Sequence, residues 1–319
     1  MNENVYIGEV IGPDCESVNN KLTVTSKATV QPVALMRLNV FVPSSRPAKG
    51  TRTSIDATSV LKDLEFSRRE GYDDIRITGE RLSMAIDFKV WVGIIEAFSK
   101  YGLKTNSIKL TFHEFAGMCR FESKRFDSRL RKSISEALTR IRGKTITFTR
   151  SDSEGLQKVS VTGLLKTGEL DFANDQVELE ADQRLWELYQ TDYTVLLRHK
   201  PINALTRKEA AQALYTFIES LPTNPVPISF KRIRDRLSLL SPVKEQNRII
   251  KLALKQLQDI GYLDHSITKK GKETFILIHR RSANLKPGQL YKVCQNGEAT
   301  RLRCVETGGL FLNILIGVL

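Results

Sequence analysis

The chain has 319 residues, with 49 Lys and Arg against 36 Asp and Glu and a formal net charge of +13. That length predicts about two domains, each able to bury a core, and the positive excess favours nucleic acid, an anionic membrane surface or an acidic protein as partner. The cysteines, Cys15, Cys119, Cys294 and Cys304, lack the close spacing of a zinc knuckle or redox pair and predict reduced thiols in a cytosol.

The N-terminus, MNENVYIGEVIGPDCE, has neither the basic start nor the long apolar core of a signal peptide, which predicts no export. Residues 1–58 read as a flexible arm. The first 30 or so are polar without a sustained period, and Pro43 to Thr58 is rich in Pro, Ser, Thr and Gly. Between them VALMRLNVFV reads as a strand or docking segment.

A first module is expected over 59–190. Phe88, Trp91, Val92, Ile95 and Phe98 recur at helical spacing after an Asp87 cap, with Gly102 placed to end the helix. Ile108 to Phe112 reads as a strand, HEFAGMCRF as a short helix, and Lys124 to Arg142 as a long one with Phe126, Leu130, Ile134, Ala137, Leu138 and Ile141 inward. TITFT and VSVTGLL then complete a hairpin.

The order returns over 191–282. Thr206 and Glu209 form a capping-box pattern ahead of Ala210, Leu214, Phe217 and Leu221, and Pro222 stops that helix. PISF gives a strand, KRIRDRL a short helix, SPVKEQNRIIKLALKQLQDI a long one, and YLDHSIT and TFILIH a hairpin around TKKGK. At an offset of about 118 residues Phe112 falls over Phe230, Phe115 over Ile233 and Ile134 over Leu252. The expected fold class is therefore α+β, two tandem winged-helix (winged helix-turn-helix) domains related by internal duplication. The tail, 283–319, receives no role, and its most apolar run, Gly309 to Leu319, is shorter than the ~20 residues a membrane span needs.

The second long helix carries the chemistry. With Ser241 as N-cap and Pro242 first in the helix, Ile249, Leu252, Ala253, Leu257 and Ile260 gather on one side and Lys244, Asn247, Arg248, Lys251 and Lys255 on the other. From Phe230 to Arg281 there are thirteen Lys and Arg against five Asp and Glu, so the excess belongs to the whole module. A solvated charge run is the plain reading; a repeated winged-helix pattern favours duplex DNA, whose phosphates relieve the repulsion. In such a module the second helix of the helix-turn-helix enters the major groove. Gln246, Asn247 and Arg248 are the candidates for base reading, by bidentate pairing with adenine or donation to guanine. Arg232, Arg234, Arg236, Lys244, Lys251 and Lys255, with Lys269, Lys270 and Lys272 of the wing, are candidates for backbone contact. In the first module Lys124, Arg131 and Lys132 share a helix with acidic residues, and backbone contact or a protein interface are both open.

No enzyme, metal or cofactor is expected. RGKTIT has Leu138 where a phosphate-binding loop needs Gly, and it leads from helix to strand. His113, His199, His265 and His279 stand alone, which leaves a nickase without its metal pair. Of the carboxylates Asp73, Asp74, Asp171, Asp175, Glu178 and Glu180, the last two alternate onto the exposed side of a strand.

QPVALMRLNVFVP, DFKVWVGIIEAFSKYG, INALTRKEAAQALYTFIESLP and QLQDIGYLD resemble the plasmid replication initiators of the RepFIB type, within the iteron-binding theta-plasmid Rep proteins, from about Gln31 to Arg281. The resemblance implies two winged-helix domains and binding of duplex DNA at repeated origin sequences (iterons). It also implies recruitment of host initiator protein and replicative helicase, and a homodimer, with the first domain at its interface, that represses its own promoter at its operator. It places sequence-specific contacts on Gln246, Asn247 and Arg248, backbone contacts on Arg131, Lys132 and the second wing, and the protein in the bacterial cytoplasm, off the membrane. A tandem winged-helix transcriptional repressor is the alternative.

Overall fold

The structure, a computed structural model, describes residues 27–44, 52–61, 71–101, 107–151, 157–182, 189, 194–282, 285, 291–293 and 299–301. The chain starts with β1 (Ala28–Pro32), α1 (Val33–Arg37), β2 (Phe41–Val42), β3 (Arg52–Asp56), α2 (Thr58–Leu61), β4 (Asp74–Glu80) and β5 (Leu82–Ser83). It continues through α3 (Asp87–Tyr101), β6 (Ser107–Thr111), α4 (Phe112–Met118), α5 (Ser128–Arg142), β7 (Thr145–Ser151), β8 (Gln157–Gly163), β9 (Thr167–Asp171) and β10 (Gln176–Glu180). Then come β11 (Thr194–Arg198), α6 (His199–Ala204), α7 (Glu209–Glu219), β12 (Ile228–Ser229), α8 (Phe230–Leu237), α9 (Val243–Asp259), β13 (Leu263–Lys270) and β14 (Glu273–Arg281).

Both modules have the winged-helix path. In the first, α3, β6, α4 and α5 lead to β9 and β10, with antiparallel strand order β6-β10-β9. In the second, α7, β12, α8 and α9 lead to β13 and β14, with order β12-β14-β13. A hydroxyl ends the first strand and starts the next helix in each: Thr111 Oγ1 accepts from the Glu114 amide at 3.1 Å and Ser229 Oγ from the Arg232 amide at 3.2 Å.

The hairpin expected to end the first module lies elsewhere. β7 and β8 join β3 and β4 in one antiparallel sheet, β3-β4-β7-β8, and the wing is β9–β10. Alternation marks both hairpins alike. The choice is made by partners, since Ile146 and Phe148 of β7 sit opposite Ile77 and Ile75 of β4, all buried.

Residues 1–58 are likewise no arm from Ala28 onward, while 1–26 and 45–51 lie outside the described residues. β1 pairs antiparallel with β11, α1 buries Val33 through Met36, and β2 pairs with β5. Gln31, fully buried, is a junction: Trp91 Nε1 donates to its Oε1 at 2.8 Å, the Tyr189 hydroxyl donates to the same oxygen at 3.2 Å, and its own Nε2 donates to Thr29 Oγ1 at 3.1 Å. An apolar decamer between polar stretches carries no local mark that says what it will pack against.

Two helix starts shift. Thr206 does not cap α7; its hydroxyl donates back to the Asn203 carbonyl at 2.6 Å, and Glu209 accepts from the Ser44 amide at 2.6 Å. Pro242, not Ser241, is the cap residue of α9, and the Gln246 amide bonds its carbonyl at 3.0 Å.

The buried face of α9 is Ile250, Ala253, Leu254 and Leu257, while Leu252 is 46% exposed and Ile249 only half-buried. These match Ile134, Ala137, Leu138 and Ile141 of α5, a register two residues short of the one that places Phe112 over Phe230. The cause is the connection: Cys119–Asp127 between α4 and α5 is longer than Ser238–Pro242 between α8 and α9. A single offset carried through both helices therefore rotates α9.

α7 packs on α8 and α9 and also on α1 and β2, so the N-terminal segment is braced against the second module. In the tail Leu285 reaches the core and Tyr291–Val293 pairs with Ala299–Arg301. No helix among the described residues is long and apolar enough to cross a membrane.

His199, 7% exposed at the start of α6, has its Nε2 buried without a hydrogen-bond partner among the described residues, and burial pushes its pKa down to about 4. The unfolded chain takes up this proton near pH 6.5, so below that pH it binds more protons than the folded one and stability is lost as pH falls from 6.5 towards 4. His199→Leu should remove about 3 kcal/mol of the stability lost between pH 7 and 4, read from urea unfolding at both pH values.

Candidate nucleic-acid interface

α8 and α9 meet at Ser238, which sits in the left-handed region with φ 46° and is held from the first module. Arg81 donates to its hydroxyl at 3.1 Å and to its carbonyl at 2.7 Å. The turn between the two helices of the helix-turn-helix is thereby fixed by a residue far away in sequence, which local pattern does not mark.

The outward face of α9 carries Lys244, Arg248, Lys251 and Lys255, all exposed. It is not cationic throughout. Glu245 chelates Arg248, which donates from Nε at 2.8 Å and from Nη2 at 2.7 Å, and Lys255 pairs with Asp259 at 3.1 Å. The carboxylate raises the Arg248 pKa and is itself held below its usual range by the guanidinium. The (i, i+3) and (i, i+4) spacing of these pairs was the available signal. Lys244 and Lys251, with Lys269, Lys270 and Lys272 at the tip of β13–β14, are exposed and carry no ion pair among the described residues. Arg232 is exposed too, its guanidinium 5.7 Å from the centre of the Phe217 ring.

The three nominated base readers differ. Arg248 projects to solvent with its side chain 67% exposed. Asn247 is half-buried, and its Oδ1 accepts from Arg234 Nη1 at 2.9 Å, which makes Arg234 a holder of Asn247. Gln246 is a brace: its Nε2 donates to the Leu239 carbonyl at 3.0 Å and the Ser241 carbonyl at 2.6 Å, closing the turn. Its donors are spent.

Arg236, expected at the DNA backbone, is 4% exposed. Its Nε donates to the Met36 carbonyl and its Nη1 to the Phe41 carbonyl, both at 2.9 Å, and burial pushes its pKa down to about 9. It faces inward because it lies three residues after Ile233 on the core side of α8.

The first module spends part of its charge internally, while Arg125, Arg129, Lys132 and Arg142 stay exposed. Lys124 pairs with Glu122 at 2.7 Å. Arg131 pairs with Asp175 and lies 4.2 Å over the Phe112 ring. Arg140 donates at 2.7 Å to Asp87, whose other oxygen accepts from the Ser83 amide. Lys132 is exposed beside a cleft of about 430 Å³ lined by Ser128, Arg131, Ser135, Glu136 and the wing residue Phe172. The wing itself bears Glu169, Asp171, Glu178 and Glu180, with Lys109 and Lys166 as counter-charges to the last two.

A cationic helix and wing on one module, welded to a second module of the same connectivity, define a winged-helix protein of the kind that engages DNA. Residues 66–219 match the family model described as "Initiator Replication protein, WH1", which spans the expected boundary at 190 and 191. The chain is 56% identical over 287 residues to Replication protein RepA of Escherichia coli, covering 90% of this chain and 99% of that protein. It is 47% identical over 269 residues to RepFIB replication protein A of Salmonella typhi, covering 83% and 82%. Domains 2 and 3 of RctB share the fold, with TM-score 0.51 at 10% identity over 77% of this chain and 97% of that one. The chain belongs to the RepFIB-type plasmid replication initiators, and its function is the initiation of plasmid replication.

Proposed function

We propose that this initiator acts by binding alone, without enzymatic chemistry, at directly repeated duplex sites (iterons) in the bacterial cytoplasm. Several copies on adjacent repeats favour opening of nearby A·T-rich DNA, where host initiator protein and replicative helicase are recruited. The observation that carries this reading is the contrast in spent charge. Arg232, Lys244, Lys251, Lys269, Lys270 and Lys272 of the second module point to solvent without carboxylate partners among the described residues, whereas in the first Lys124, Arg131 and Arg140 are paired, its wing is acidic, and Arg125, Arg129, Lys132 and Arg142 stay exposed. The second module thus supplies phosphate contacts and base reading, and the first supplies position and a protein interface. Common connectivity and matched caps support descent of the two modules from one.

The same chain forms a dimer that represses its own promoter. A surface for a second copy is the outer edge of the β3-β4-β7-β8 sheet, where β8 is the last strand among the described residues and exposes Val159 at 53% and Val161 at 61%.

Footprinting on DNA beside the gene is expected to show regularly spaced protected repeats; one isolated operator would instead leave a repressor. On such a repeat Arg248→Ala should cost ~1–3 kcal/mol, and far less on random duplex. Equal loss on both would make Arg248 a phosphate contact. Glu245→Gln keeps the guanidinium and releases it from its carboxylate, so it should not reproduce the Arg248→Ala loss.

A further inference from the structure

α9 opens on an exposed valine. Val243 is 56% exposed, and Leu240 in the turn before it is 62% exposed. Both stand at the end of the helix that a winged-helix module places in the major groove. Apolar side chains at this position forfeit the ~25 cal/mol per Å² that burial returns, in a neighbourhood otherwise made of Lys244, Asn247 and Arg248.

Three features narrow what covers them. Val243 and Asn247 are four residues apart and share one side of α9, so a base pair met by Asn247 brings its neighbour under Val243. The Asn247 amide is held by Arg234, and Gln246 is tied to the turn, so neither can swing across to fill the place. Valine is β-branched, with one dominant χ1 in a helix, and so presents its methyls in a fixed direction. Among base-pair edges in the major groove, the apolar group is the C5-methyl of thymine.

We propose that Val243, flanked by Leu240, is a specificity-determining residue that packs on a thymine methyl next to the base contacted by Asn247. This rests on the DNA-binding reading of α9. The charge around it favours a polyanion over a protein partner, whose apolar patch would meet the unpaired ammonium groups of Lys244 and Lys251.

The test starts from a duplex that the full chain selects out of a random-sequence pool. Each thymine is then replaced, one at a time, by deoxyuridine, which keeps the hydrogen-bonding edge and lacks the methyl. One or two positions should weaken binding about fourfold, the worth of one buried methyl group. At those positions Val243→Ala should bind thymine and uridine duplexes equally, while melting at the wild-type temperature because the side chain is exposed. If every uridine duplex binds the wild type as the parent does, or Val243→Ala retains the full methyl effect, the inference is overturned while DNA binding stands. The first of those results would assign the Leu240–Val243 patch to a protein. A pool that yields no preferred sequence overturns the DNA-binding reading and this inference together.

Discussion

Between about 50 and 200 mM salt, affinity for a single repeat duplex is expected to fall by ~10³-fold or more, the loss produced by six or more phosphate contacts. The exposed second-module cations without ion pairs among the described residues, Arg232, Lys244, Lys251, Lys269, Lys270 and Lys272, are enough to make them. Each contact removed should lower the slope of log affinity against log salt by ~0.9. Replacing Lys269, Lys270 and Lys272 together by Ala is therefore expected to flatten the slope by about 2–3 while leaving the preferred sequence unchanged, because a wing on the backbone positions without specifying. Lys124→Ala should hardly change it, since Glu122 already neutralises that charge at 2.7 Å. If Lys124→Ala flattens the slope as much as Lys251→Ala does, the ion pair opens on DNA and the first module holds phosphates as well.

Arg236→Ala is expected to cost about 3–5 kcal/mol of stability, by urea unfolding, and to leave the DNA affinity of the folded protein unchanged. Two effects add. The substitution empties a site that is 4% exposed, and it leaves the Met36 and Phe41 carbonyls without the donors that tie the N-terminal segment to the second module. Relief of the buried charge works the other way, as the pKa pushed down to about 9 indicates. Arg236→Met, which keeps much of the volume and removes the charge, should accordingly cost less than Arg236→Ala. Arg232→Ala provides the contrast, with wild-type stability and weaker binding. A stable Arg236→Ala protein with reduced affinity would return Arg236 to the DNA face.

The helices were legible because their cores are periodic. Phe88, Trp91, Ile95 and Phe98 of α3, and Leu130, Ile134, Leu138 and Ile141 of α5, are buried as their spacing requires. Strand partners were less so, since Ile146 and Phe148 alternate as any hairpin would and the choice between two sheets lay with Ile75 and Ile77, some seventy residues earlier. The face of α9 was misjudged because a cationic stripe locates only the wet side. Ile250 and Leu254 were decided by the shorter turn before the helix, which reset its rotation relative to α5.

The amino-acid order alone determined the helix, strand, helix, helix core of each module, the cationic excess of residues 230–281 and membership in the initiator family, because periodicity and motif blocks are local properties of the chain. Which of those charges are free was settled by folding. Arg236, Arg234 and Arg232 stand in one short helix, yet one is buried on Met36 and Phe41, one holds Asn247, and one faces solvent. A guanidinium's role depends on the acceptors that distant segments bring within 3 Å of it, and those segments meet only in three dimensions.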